Sequence, residues 1–256
     1  MTKRESNYRH TKVWLFSSAY LFIAVGQVVV YNRFTQLWKG KVHTLVQLFT
    51  QKQKIGIYGG TFDPIHMGHL ISADCIRDEL CLDQVIFVPA KVPPHKRSKN
   101  ITDGHHRYQM IKLSIENNPH YQVSNFELDS PYEISFTWYT VQYFRNQYPD
   151  AQLFLLLGAD TVLDLPNWAF IREICQECTL VGFQRAGEVK LESETQYLDC
   201  QNIQIINTPS VDISATMIRD RITNNQSVSY MVNNRVLEYI KEHTLYGKME
   251  TMDRRG

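Results

Sequence analysis

Beyond residue 54 the chain alternates short apolar runs with segments whose apolar residues recur every three or four positions. The runs predict strands at Ile55–Tyr58, Gln84–Val88, Gln122–Glu127, Gln152–Leu157, Thr179–Phe183 and Ile203–Ile206. The periodic segments predict helices at Gly68–Cys81, Asp103–Asn117, Ser135–Gln147, Trp168–Cys178, Ser214–Ile222 and Asn233–His243. Several runs are solidly apolar, as in strands covered on both faces. The alternation predicts an α/β fold with a doubly wound, mostly parallel sheet. Ligands of such sheets sit beyond the carboxyl ends of the strands, at the switch point. Gly59-Gly60 ends the first strand and Gly158-Ala159-Asp160 follows the fourth, so both segments belong at that edge.

Residues 1–50 do not share this pattern. Val13 to Tyr31 is a run of 19 uncharged, mostly apolar residues with basic residues on both flanks. Its length just suffices to span a bilayer, and the two basic flanks give little orientation signal. A secretory leader also fits the shape, with a basic start and an apolar middle, and is disfavoured. Two readings of the 1–50 extension stay open. It is a membrane anchor through 13–31, or it is translated upstream sequence whose true start lies close to Lys52. The second is slightly favoured. Residues 51–256 are expected to form a separate domain that carries the chemistry described below.

The chain has 256 residues, 43% of them hydrophobic, enough for one large domain with its own core. A net charge of +1 gives no global basic field of the kind nucleic-acid binders use. Five cysteines, an odd number, argue against a disulfide framework and for a reducing cytoplasm. Cys175 and Cys178 form a lone C-x-x-C without the second pair a zinc site needs, and read as semi-buried thiols.

The chemistry concentrates in Gly59-Gly60-Thr61-Phe62-Asp63-Pro64-Ile65-His66-Met67-Gly68-His69. A strand ends at the glycines, a turn follows, and a helix begins near Gly68. Helix N-termini attract anions, glycines let a backbone approach one, and histidines add donors. The segment reads as a cradle for a nucleotide triphosphate. It lacks the P-loop and dinucleotide-binding patterns, and a bare H-x-x-H would equally be half a metal site. The glycines before it and the strand-to-helix junction around it favour the phosphate reading.

This segment resembles the signature of the HxGH nucleotidyltransferases, and within them that of the bacterial nicotinate-nucleotide adenylyltransferases. Four further segments match in order: Val92-Pro-Pro-His-Lys96, Leu157-Gly-Ala-Asp160 with Trp168 following, Arg185-Ala-Gly187, and Ile213-Ser-Ala-Thr-Met-Ile-Arg219. The resemblance runs from about Lys54 to about Lys248. It implies a Rossmann-like nucleotidyltransferase fold and transfer of the adenylyl group of ATP, with Mg²⁺, to nicotinate mononucleotide. Nicotinamide mononucleotide or phosphopantetheine adenylylation, CMP transfer, and a nucleotide-binding module without catalysis are the rival readings.

The same resemblance assigns roles. His66, His69 and Arg219 would be catalytic. Gly59, Gly60, Thr61, Phe62, Gly158, Asp160, Arg185, Ser214 and Thr216 would bind ATP. Lys96, Thr137 and Trp168 would bind the mononucleotide, with Trp168 stacked on its pyridine ring. No resident metal ligand is expected, and the oligomeric state stays open. The chain departs from the family at Ala215, where a serine is usual, and at Phe136, where a tyrosine is usual.

Overall fold

The computed structural model describes residues 52–92, 101–132, 134–185 and 203–247, with only the backbone of Arg185, and the backbone of four strands within 4–31. The chain divides into two compact units, 1–52 and 53–256. In the first, β1 (Arg4–Tyr8), β2 (Thr11–Phe16), β3 (Ala19–Ala24) and β4 (Gln27–Tyr31) pair antiparallel in chain order. The apolar run therefore folds as strands. Its clusters are β-branched and aromatic, as in Val28-Val29-Val30-Tyr31, and such residues favour a pleated backbone. No helix among the described residues is long and apolar enough to cross a membrane.

The second unit is built on β5 (Lys54–Gly60), β6 (Gln84–Pro89), β7 (Tyr121–Val123), β8 (Gln152–Gly158), β9 (Thr179–Arg185) and β10 (Ile203–Thr208). All six are parallel, in the order β10-β9-β8-β5-β6-β7. The first and fourth of these strands in chain order, β5 and β8, are neighbours. Their connections leave in opposite directions, which opens a crevice at their carboxyl ends.

Helices cover both faces, and the two-residue period of the strands sorts their side chains between two cores. Tyr58, Val85, Phe87, Phe154 and Leu156 point to one core. There they meet α1 (Met67–Leu80), α2 (Gly104–Ile115), α7 (Ala215–Thr223) and α8 (Asn234–Glu242). Ile55, Ile57, Ile86, Val88, Leu153, Leu155 and Leu157 point to the other core. It is closed by α4 (Thr137–Gln147), α5 (Ala159–Asp164) and α6 (Ile171–Glu177). Each side chain fully buried this way is worth about 1.5–3 kcal/mol of apolar burial.

Three expectations are corrected. The strand expected at Gln122–Glu127 ends at Val123, and α3 (Phe126–Asp129) takes the rest. The Ser124 hydroxyl accepts the Phe126 N–H, a turn that ends the ladder. The helix expected at Trp168–Cys178 starts only at Ile171, because Phe170 before it is left-handed (φ 64°). Cys175 is in a disulfide, whereas Cys75, Cys81 and Cys178 are free thiols. Burial pushes the Cys178 thiol up to about 12.

Among the described residues, one arginine is almost wholly buried. Arg107 of α2 is 1% exposed. Its Nε donates to the Thr102 carbonyl (2.8 Å), Nη1 to that of Thr61 (2.8 Å) and Nη2 to that of Lys91 (3.5 Å). It thus ties the loop after β5 to the loops after β6. Burial pulls its guanidinium below the ordinary range, and the Asp63, Asp103 and Glu127 carboxylates oppose that.

Two predictions follow from this architecture. We propose that residues 1–50 are dispensable, because they lie outside the second unit; a chain beginning at Lys52 should be soluble and active. A shortened chain that fails to fold while the full chain folds would make the extension part of the domain. Arg107→Met should cost roughly 3 kcal/mol or more, since it leaves buried carbonyls unpaired and carboxylates uncompensated. Arg107→Lys should not restore that loss, having no planar fork; chemical denaturation measures both.

Candidate active site

A cleft of about 900 Å³ opens at the carboxyl ends of β5 and β8. It is lined at its centre by Gly59 to Asp63, His66 and His69, and on the β8 side by Gly158 and Asp160. Ser214, Thr216 and Arg219 of α7 line one end, and Thr137 and Trp168 the other.

The central segment is shaped by contacts inside itself. Phe62 adopts a left-handed backbone (φ 49°) and is 2% exposed. Its ring folds back over Gly60, where a Cβ would approach to 2.9 Å. Any side chain at Gly60 would therefore displace it. At Gly59 a Cβ would meet nothing within 4 Å, so this backbone borders open space.

His66 caps α1 and packs over Gly68, where a Cβ would come within 3.0 Å of its ring. A side chain at position 68 would crowd the His66 ring, which fits a glycine there. The His66 and His69 rings stack, with centroids 3.7 Å apart. The His66 backbone N–H donates to Nδ1 of His69 (3.2 Å). A backbone N–H can only donate, so Nδ1 is an acceptor and the His69 proton sits on Nε2. The other face of the His69 ring leans edgewise on Phe62 and Tyr58.

The start of α1 is less open than its sequence suggests. The Met67 N–H donates to the Met231 carbonyl (2.8 Å), and the His69 N–H to the His66 carbonyl (3.0 Å). Protein groups therefore take two first-turn donors expected to face an anion, which leaves more of that work to side chains.

In α7, Ser214 is the N-cap, and its hydroxyl accepts the Met217 N–H (3.1 Å). Its oxygen is thus used in capping, as Ser and Thr at helix starts commonly are. Arg219, one turn on, donates from Nη1 to the Asp63 carbonyl (2.7 Å) and from Nη2 to the Thr216 hydroxyl (3.2 Å). A guanidinium has five N–H groups, so both ends keep a donor for an anion in the cleft.

At the opposite end, Thr137 opens α4, whose N-cap Phe136 makes no side-chain cap bond. An uncapped start on an 11-residue helix offers N–H groups and a partial positive charge to a carboxylate. Trp168 is half-buried and follows a 3₁₀ turn (Leu165–Asn167), to which it gives its own N–H (3.0 Å to the Leu165 carbonyl). That N–H is therefore not available to a ligand, although the indole lines the cleft. Below them Glu127 is buried. Its carboxylate accepts from the Thr140 hydroxyl (2.6 Å), and burial raises it above the usual carboxylate range.

Among the residues singled out from sequence, thirteen of fifteen line the cleft: Gly59, Gly60, Thr61, Phe62, His66, His69, Thr137, Gly158, Asp160, Trp168, Ser214, Thr216 and Arg219. Lys96 lies outside the described residues, and so does the side chain of Arg185. The sequence reading missed Asp63, Arg107, Glu127 and Tyr246. Of these, Arg107 carried a signal: it falls on the apolar stripe of its helix with Met110 and Ile111.

Residues 57–221 match the Cytidylyltransferase-like family. A probable nicotinate-nucleotide adenylyltransferase of Moorella thermoacetica is 39% identical over 207 residues, 78% of this chain and 95% of that protein. The nicotinate-nucleotide adenylyltransferase of Bacillus subtilis is 36% identical over 194 residues, 76% of this chain and 98% of that protein. The structure of the Plasmodium falciparum nicotinic acid mononucleotide adenylyltransferase complexed with NaAD superposes with a TM-score of 0.65 at 22% identity. It covers 77% of this chain and all of that one, which shows a shared fold. The ordered motifs, the sheet order and these likenesses agree that the chain belongs to the nicotinate-nucleotide adenylyltransferase family of Cytidylyltransferase-like proteins.

Proposed function

We propose that the cleft transfers the adenylyl group of ATP to the 5′-phosphate of nicotinate mononucleotide. The products are nicotinate adenine dinucleotide and pyrophosphate, in the biosynthesis of NAD. The observation that carries this reading is the layout of the cleft. Phosphate-binding donors stand at its centre and at the α7 end, and an aromatic wall beside an uncapped helix start stands at the other.

The reaction needs no general base, because a phosphate nucleophile is already ionised at neutral pH. What it needs is in-line positioning and neutralisation of charge on the α-phosphate and on the leaving pyrophosphate. In our reading Nε2 of His69 donates to the α-phosphate, and the buried ring of His66 holds His69 in place and contacts the triphosphate. Arg219 and Thr216 meet the β- and γ-phosphates. The backbone of Gly59 to Phe62 approaches the nucleotide, and Asp160 accepts from a ribose hydroxyl. By the family resemblance Arg185 would serve the adenine and Lys96 the mononucleotide phosphate; Lys96 and the side chain of Arg185 lie outside the described residues. Magnesium enters with the nucleotide as MgATP, held by phosphate oxygens and water; among the described residues no cluster of three acidic, histidine or cysteine side chains is placed to hold a metal.

Trp168 offers an indole face to the pyridinium ring. The nicotinate carboxylate lies against the first N–H groups of α4, at Thr137 and Trp138. An amide would turn its own NH₂ toward one of these donors and leave a buried N–H unpaired. That mismatch costs about 1–3 kcal/mol, or roughly one to two powers of ten in specificity. Pyrophosphate release from ATP should therefore show a kcat/KM higher by that factor for nicotinate than for nicotinamide mononucleotide. Equal values, or a preference for the amide, would overturn this account of the pocket, and no release with either would overturn the function.

A further inference from the structure

The segment after α8 is strained and reaches back to the cleft. Thr244 (φ 51°), Tyr246 (φ 66°) and Gly247 (φ 122°) are all left-handed, two of them without the freedom of glycine. Strain of this kind persists only where surrounding contacts over-determine it. Here the contacts are specific. Leu245 packs on the core, and the Thr223 hydroxyl of α7 lies 3.0 Å from the Tyr246 carbonyl. The Tyr246 hydroxyl donates to Oδ1 of Asp63 (2.7 Å) across 183 residues of sequence.

Asp63 stands between this strap and the cleft. It is 5% exposed, and its Oδ2 accepts the Thr102 N–H (3.3 Å). Its carbonyl, not its carboxylate, accepts Arg219 Nη1. This choice needs a cause, because a guanidinium prefers the bidentate grip of a carboxylate to a single carbonyl. A carboxylate within one residue of Arg219 would close on it and compete with any phosphate. Tyr246 and Thr102 donate to one oxygen each, the buried Arg107 draws on the same carboxylate by its charge, and Arg219 is left with the carbonyl.

We propose that Tyr246 is a positioning residue for ATP: by holding the Asp63 carboxylate, it leaves Arg219 open to the triphosphate. This rests on the reading of Arg219 as a ligand of the β- and γ-phosphates. The C-terminal strap would thus be part of the nucleotide site without touching the nucleotide.

The test is steady-state kinetics on the full chain with Tyr246→Phe, Arg219→Lys and the double variant, with thermal unfolding alongside. Tyr246→Phe keeps the ring and removes the donor. Its KM for ATP should rise roughly 3–10-fold, the net scale of one ordinary hydrogen bond, since the effect reaches ATP through Asp63, while KM for the mononucleotide changes less than about twofold. Arg219→Lys should raise the ATP KM too, and the double variant should fall short of the product of the two, as for residues acting on one another. An unchanged ATP KM in Tyr246→Phe, an equal rise for both substrates, or full additivity overturns the proposal. If Arg219→Lys leaves the ATP KM unchanged, the phosphate role of Arg219 fails, and the proposal with it. If Arg219→Lys raises it and Tyr246→Phe does not, the site reading stands and only the strap fails. Should Tyr246→Phe fold poorly, Leu245→Ala loosens the same strap at its core contact and must reproduce the ATP-specific rise; an unchanged ATP KM there overturns the proposal equally.

Discussion

The bond from the His66 N–H to Nδ1 of His69 is the constraint on which the proposed chemistry depends. It fixes the tautomer of His69 and commits Nε2 as its donor. His66 makes that bond as the extended N-cap of α1, with Gly68 leaving room for its ring. Beside the histidine pair, Arg219 brings a full positive charge to the described part of the cleft.

The rest of the molecule places that pair. Six parallel strands bring the ends of β5 and β8 side by side, and the two-sided core makes them rigid. Loops on such a scaffold can be held to a geometry by a few polar ties. Arg107 ties three carbonyls from below, and Asp63 gathers Thr102, Arg219 and Tyr246 from behind. Both are buried charges that hold carbonyls or donors of the loops in place, where an apolar residue could pack but could not orient.

Most of the sheet was legible in the sequence because its strands are apolar on both faces and its helices keep a clear period. The failures have local causes. At Gln122–Glu127 the apolar pattern continues past Ser124, but that residue's hydroxyl closes a turn. At Trp168 the pattern is helical, but Phe170 is left-handed and delays the helix to Ile171. The run 13–31 has the length of a membrane span; its described residues pair as strands, and the two readings of the extension stay open. The motif residues that fall among the described ones line the cleft, Arg185 apart, of which only the backbone is described. Asp63, Glu127 and Tyr246 were not legible, because their importance lies in contacts with distant segments. Tyr246 looks like an ordinary residue of a C-terminal stretch until it is seen against Asp63.

The central claim is that Nε2 of His69 carries the donor proton and meets ATP. Long-range proton–nitrogen correlation spectra of the histidine rings, with and without a non-hydrolysable ATP analogue, read both parts directly. The account predicts that His69 is protonated at Nε2 in the unliganded protein, and that this nitrogen shifts on addition of the analogue while Nδ1 stays an acceptor. A proton on Nδ1, or an Nε2 resonance indifferent to the nucleotide, would contradict it.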